Sequence, residues 1–239
     1  MRWAEGTAMD AGFRSRDWAL LFLLAILCKQ AFAMADVGQL QWLFWPVAAL
    51  LNTTGSLHFQ RVPSGEWWDA GHGLVIVKAC AGGNFLVASW LGYVWAGRDQ
   101  PFGLRLLVRA AMAAWLTTVG ANALRILLIA LAQEDIAHLT GLEEGEAHRL
   151  IGICVYFICL GVQMGGGRAW PAAAAVYLGV TLVLPFMRAW ALGLEFPNAS
   201  HVAWTAAIPL VILTAGAIMR RLLRRWRARD VRRVQAPAM

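Results

Sequence analysis

The sequence predicts an all-α, polytopic membrane helix bundle of about seven transmembrane helices, with a short extended element before Cys80. Three observations predict it. Apolar runs of helix length follow one another between residues 17 and 224, with only short polar breaks. The chain is 59% hydrophobic with a mean hydropathy of +0.56, and only 15% of it is charged, against roughly 25% in a typical soluble domain. Eight arginines (Arg220, Arg221, Arg224, Arg225, Arg227, Arg229, Arg232 and Arg233) directly follow the last apolar run, the positive-inside signature of a cytoplasmic end. The net charge of +7 therefore sits where it meets anionic lipid, and it implies no nucleic-acid partner.

The chain divides into an N-terminal tail over residues 1–16, one membrane domain over 17–226, and a basic cytoplasmic tail over 227–239. Residues 17–35 form a first helix, interrupted by Lys29 and Gln30 and lacking the small-residue cleavage pattern of a signal peptide. Residues 39–55 form a second, with Trp42 and Trp45 near one end, as interface aromatics often are. Residues 56–79 are different: His58, Arg61, Glu66, Asp69 and His72 surround a Pro63-Ser64-Gly65 turn signal, and residues 57–62 alternate apolar with polar. This is a small extended or hairpin element at the membrane surface. Further helices follow over 83–97, 103–133, 147–165, 170–187 and 203–224. An acidic loop over 134–146 holds Glu134, Asp135, Glu143, Glu144 and Glu146.

Counting back from a cytoplasmic C-terminus puts the 188–202 loop outside, Arg168 inside, the acidic loop outside, Arg98, Arg105 and Arg109 inside, and Cys80 outside. Only the beginning conflicts. Two helices before residue 56 put the N-terminus outside, beside Arg2, Arg14 and Arg16, unless one of the first two segments does not fully span.

Chemistry concentrates in the outer half of this map. Cys28, Cys154 and Cys159 lie in apolar helical runs and read as small packing residues, and no C-x-x-C pair supports zinc or redox chemistry. Cys80 stands instead where a polar loop meets a helix start, in Lys78-Ala79-Cys80-Ala81-Gly82-Gly83-Asn84. Backbone amides at a helix start favour negative charge, which suits a thiolate. Gly82 and Gly83 allow close backbone approach, and their amides could cradle an oxyanion. Alone, such a cysteine is more often a small buried residue before a tight turn.

Two later stretches shift the balance. Thr118, Asn122, Arg125 and Ile129 share one helix face, so Asn122 and Arg125 point the same way. Arginine at mid-bilayer costs at least about 2.5–3.5 kcal/mol, so it faces a polar interior or snorkels to the interface. His148 opens the next helix, with Gly152 one turn later, and reads either as an interface residue or as part of a site. Its predicted depth matches that of Cys80 and Arg125. Cysteine, histidine and arginine together make an acyl-transfer site: the thiolate attacks a carbonyl, histidine returns the proton to the leaving amine, and arginine holds the oxyanion. Glu66 and Asp69 are candidates to orient His148 or hold the substrate. His58 and His72 come with no metal-ligand pattern, and no cofactor is called for.

The ordered set Ala79-Cys80-Ala81-Gly82, Asn122-Ala123-Leu124-Arg125-Ile126, and His148 with Gly152 resembles the exosortase/archaeosortase family over about residues 70–165. Members of that family look like membrane-embedded cysteine transpeptidases of the bacterial inner membrane and its archaeal counterpart, convergent with the soluble sortases. Their substrates are exported proteins bearing a C-terminal tail of a short motif, such as Pro-Glu-Pro, then a transmembrane helix and a basic cluster. The resemblance implies that Cys80 is the nucleophile, that Arg125 and His148 are its partners, and that the site faces the periplasm or outside. Gly82, Gly83, Asn122 and Gly152 are its candidate oxyanion or substrate-binding residues. The chain departs from the family in its shortness and in Ala81, where serine is frequent; the size suggests a compact subtype such as the K type. The rival expectation is a non-enzymatic transporter or envelope assembly factor whose polar cavity is lined by Arg125 and His148. A transporter has no need of a thiol at a glycine-flanked helix start. The oligomeric state is not legible from these features.

Overall fold

A computed structural model describes residues 13–234. Most of the expected 1–16 tail, and the end of the basic tail from residue 235, lie outside the described residues. The elements in order are α1 (Ser15–Met34), α2 (Gln41–Asn52), β1 (Gln60–Arg61), β2 (Trp67–Asp69), β3 (Leu74–Ile76), a 3-10 turn (Lys78–Cys80), α3 (Gly83–Ala96), α4 (Leu104–Thr140), α5 (Glu144–Gln163), α6 (Trp170–Leu192) and α7 (Ala199–Val234). The all-α architecture with a small extended element before Cys80 is observed.

Among the described residues, five helices are long and apolar enough to cross a membrane: α1, α4, α5, α6, and α7 over Ala199–Leu223. Two of the seven expected spans fall short of that measure. α2 has 12 residues and α3 has 14, or about 18 and 21 Å against a hydrocarbon core of roughly 30 Å. Hydrophobicity without length misleads at α2. Its buried face of Leu43, Phe44, Val47, Ala48 and Leu51 packs instead on Leu57, Phe59 and Ile76 of the extended segment, and on Ala123 and Ile126 of α4.

α1 and α3 run antiparallel along each other. At one end Lys78 Nζ donates to the Ala33 and Ala35 carbonyls (3.0 and 2.6 Å), capping the C-terminus of α1. At the other, Trp18 meets Trp95 and Phe13 meets Phe102, with ring centroids 5.6 and 5.2 Å apart. The start of α1 therefore lies at the Arg98 end of the bundle, opposite Cys80. Arg14 and Arg16 thus lie at the same end as Arg98.

The acidic loop expected over 134–146 is a correction. α4 continues to Thr140 and α5 begins at Glu144, so residues 141–143 alone connect them. Acidic residues do not end a helix that has left the bilayer: 37 residues measure about 55 Å, well beyond the membrane core. The left-handed Gly141 (φ +68°) ends α4. α6 likewise runs past the expected residue 187 to Gly193 (φ +62°), with a π-helical turn at Gly179–Val183. α4 packs most extensively on α3 and α5, and close packing relies on missing side chains. A Cβ at Gly161 would stand 2.1 Å from the Trp170 ring.

The extended segment forms a three-stranded antiparallel sheet with Arg61 opposite Trp67 and Trp68 opposite Val75. Asp69 organises it. Its buried carboxylate accepts from the backbone amides of His58 and His72 (the latter at 2.8 Å) and lies 3.0 Å from His72 Nδ1. Burial alone pushes the Asp69 carboxyl up, but the His58 and His72 donors outweigh it and hold the group below the usual carboxylate range. Its contribution is thus present above the unfolded value of about 4 and is lost as pH falls through the lower folded value. Protection of the His58 and His72 amides, measured against intrinsic exchange at the same pH, is expected to fall across that acidic window in the wild type. In Asp69→Asn the pH step should vanish.

Candidate functional site

Asn122 and Arg125 are buried where α4 meets α3 and α5. The predicted face is observed: Thr118, Asn122, Arg125 and Ile129 are all buried, so Arg125 turns into the bundle and does not snorkel. Asn122 Nδ2 donates to the Cys80 carbonyl at 2.7 Å, tying the 3-10 turn to α4. Asn122 Oδ1 accepts from the Tyr156 hydroxyl of α5. Arg125 is the hub. Its Nη1 donates to Tyr156 Oη at 3.3 Å, its Nη2 lies 2.8 Å from His148 Nε2, and its charge lies close enough to act on the Cys80 thiol.

A guanidinium only donates, so His148 Nε2 must be the lone-pair nitrogen and the imidazole proton sits on Nδ1. Arg125 stands between the thiol and the imidazole, a departure from a direct cysteine–histidine contact. Arg125 Nε is buried without a partner, against Gly152.

The glycines serve this cluster. Gly82 is left-handed (φ +71°), and a Cβ there would come within 3.2 Å of both Asn122 Nδ2 and Thr118 Cγ2. Gly83 lies under the Phe32 ring, which a Cβ would meet at 2.9 Å. The first amides of α3 have no helical acceptor. Both glycines help wall a cavity of about 510 Å³ that Tyr156 also lines. Gly152 makes room for Arg125, since a Cβ would stand 3.0 Å from Nε. Gly152→Val is expected to displace the guanidinium and cost about 1–3 kcal/mol of stability. It should also change the His148 ring nitrogen shifts in an NMR spectrum; unchanged shifts would mean the arginine is not held there.

Cys80, Gly82, Gly83, Asn122, Arg125, His148 and Gly152 are thus brought together. Glu66 and Asp69 are not. The Glu66 carboxylate accepts from Ser64 Oγ at 3.2 Å, and Asp69 is committed to His58 and His72, so neither orients His148. Cys28, Cys154 and Cys159 are free and none belongs to this cluster. Tyr156 was missed. Its signal was available, because residues 148, 152 and 156 recur one turn apart and share a helix face. Tyr156 also stacks on Phe85, with centroids 4.7 Å apart and planes at 12°. Among the described residues, no group of three or more His, Cys, Asp or Glu could hold a metal ion. No family model matches the chain, and neither a curated protein nor a solved structure matches it.

Proposed function

We propose that the chain is a membrane-embedded cysteine peptidase or transpeptidase of the exosortase type, acting on the C-terminal tails of exported proteins at the outer face of a bacterial inner membrane. One observation carries the reading. A thiol, a guanidinium and an imidazole from three elements far apart in sequence meet in one cluster, with Asn122 fixing the cysteine turn. A cavity-lining role for Arg125 and His148 leaves the tether on Cys80 without a purpose.

The chemistry runs as acyl transfer. Arg125 turns to the scissile carbonyl oxygen and so releases His148 Nε2, which takes the Cys80 thiol proton. The thiolate attacks the carbonyl carbon, forming a C–S bond as the C=O π pair moves onto the oxygen, and that oxyanion takes up the Arg125 donors. The C–N bond then breaks, and His148 gives the proton to the leaving amine. Water or an amine attacks the resulting thioester, returning the thiol.

The proposed topology has six crossings, with α3 antiparallel to α1 and α2 lying with the sheet on the outer surface. Both chain ends and the Arg98–Arg105 region are then cytoplasmic, as arginine asymmetry favours. Two experiments test these statements. Co-expression with an exported protein bearing a motif, a transmembrane helix and a basic cluster is expected to shift that protein on electrophoresis, and an unshifted tail contradicts the activity. Impermeant thiol reagents should label a single cysteine placed in residues 56–75 and spare one placed in 98–103; the reverse would overturn the orientation.

A further inference from the structure

The 510 Å³ cavity beside Gly82 and Gly83 has a feature the proposed chemistry does not use. Lys29, Lys78 and Arg188 wall it, with Glu195 as the one carboxylate in the lining. Among the described residues none of these four is in an ion pair. The lysines spend their bonds on neutral acceptors. Lys29 Nζ donates to the Val180 carbonyl in the π-helical turn (2.6 Å) and to Asn84 Oδ1 (3.0 Å), and Lys78 Nζ caps α1. Arg188 makes no hydrogen bond within the described residues, yet its charge lies close enough to act on the Lys29 ammonium. Two like charges thus lie near each other, and among the described residues neither is in an ion pair with a carboxylate. Each lysine has one N–H left, and the guanidinium is uncommitted.

A second cavity adjoins this one. A groove of about 650 Å³ is almost wholly apolar and runs between α1, α3 and α4, lined by Leu24, Cys28, Trp90, Met112 and Trp115. Phe32 is a wall of both cavities. Leu24, Cys28 and Phe32 form one stripe of α1, and Lys29 and Ala33 lie on the neighbouring face. The positive cavity lies at the helix end that Lys78 caps, and the groove runs from there along the helices.

We infer that these two cavities form a binding site for an anionic phospholipid, with its phosphate among Lys29, Lys78 and Arg188 and an acyl chain past Phe32 in the groove. A free phosphate or an acidic peptide satisfies the cations and leaves the groove unused. A zwitterionic lipid such as phosphatidylcholine fills the groove but brings a choline ammonium against the same cations. An anionic amphiphile satisfies both, and the site adds to the proposed activity without depending on it.

The test uses the full chain purified in a neutral detergent, with binding followed by native mass spectrometry and thermal unfolding. Phosphatidylglycerol is expected to bind and raise the unfolding temperature, whereas phosphatidylcholine and glycerol phosphate at equal concentration do so far less. Arg188→Gln and Lys29→Gln should each weaken phosphatidylglycerol about fivefold. Arg105→Gln, at the opposite end of the bundle, should leave it unchanged. Met112→Trp, which fills the groove, should weaken the lipid too. Lys29→Gln could unseat α1 from Val180, so Arg188→Gln, which breaks no hydrogen bond, is decisive. Equal binding of the two lipids, wild-type affinity in Arg188→Gln, or full displacement of phosphatidylglycerol by glycerol phosphate would each overturn the inference.

Discussion

Cys80→Ala is expected to abolish processing of a tail-bearing protein while the variant still accumulates in the membrane. The side chain is half-buried, and the Asn122 tether reaches the Cys80 carbonyl, which alanine retains. The fold therefore has little to lose. Cys80→Ser should be nearly as damaging. An alcohol ionises far less readily than a thiol and needs a positioned strong base. In the resting site the imidazole lone pair is turned to Arg125 and frees only as Arg125 moves to the substrate, too weak and too late a base for an alcohol of pKa far above that of a thiol. Cys28→Ala, Cys154→Ala and Cys159→Ala should process the substrate normally. The readout is the electrophoretic shift of the co-expressed substrate. Processing by Cys80→Ala at the wild-type rate would remove the cysteine mechanism.

The second large effect is expected at Arg125 and His148. Arg125→Lys keeps the charge, but an ammonium cannot reproduce a planar fork that meets His148 Nε2 and Tyr156 Oη together beside Cys80. Loss of an oxyanion donor typically costs about 10²–10³-fold in rate. His148→Ala should cost about 10²–10⁴-fold, the range for a lost general acid–base group. Because Arg125 links the two groups, the double variant should be little worse than the worse single variant, as residues that act as a unit are non-additive. Independent, multiplying losses in a rate measurement would contradict the hub arrangement.

The cluster was legible in the sequence because each member carries its own local signal. A cysteine before two glycines, an arginine one helical turn past an asparagine, and a histidine one turn before a glycine fix which faces they occupy. Arg125 in an apolar run demands a polar partner, and the structure supplies His148 and Tyr156. Tyr156 escaped because an aromatic in an apolar helix looks like packing until its hydroxyl partners are known. α2 escaped because its composition suits a span, while its 12-residue length and its partners in the sheet emerge only on folding. The end of α4 was misplaced because Glu134 and Asp135 mark the exit from the bilayer, not the end of the helix, which waits for Gly141. The cations around the cavity come from α1, the cysteine turn and α6, which no local pattern connects.

The central claim is that Cys80 becomes covalently acylated. Acid quenching of a processing mixture, followed by mass spectrometry of the Cys80 peptide, tests it most directly. A hydroxylamine-labile adduct is expected on Cys80, with an added mass equal to that of the substrate's N-terminal product. Processed substrate with Cys80 always unmodified, or an adduct carried by another residue, would contradict it.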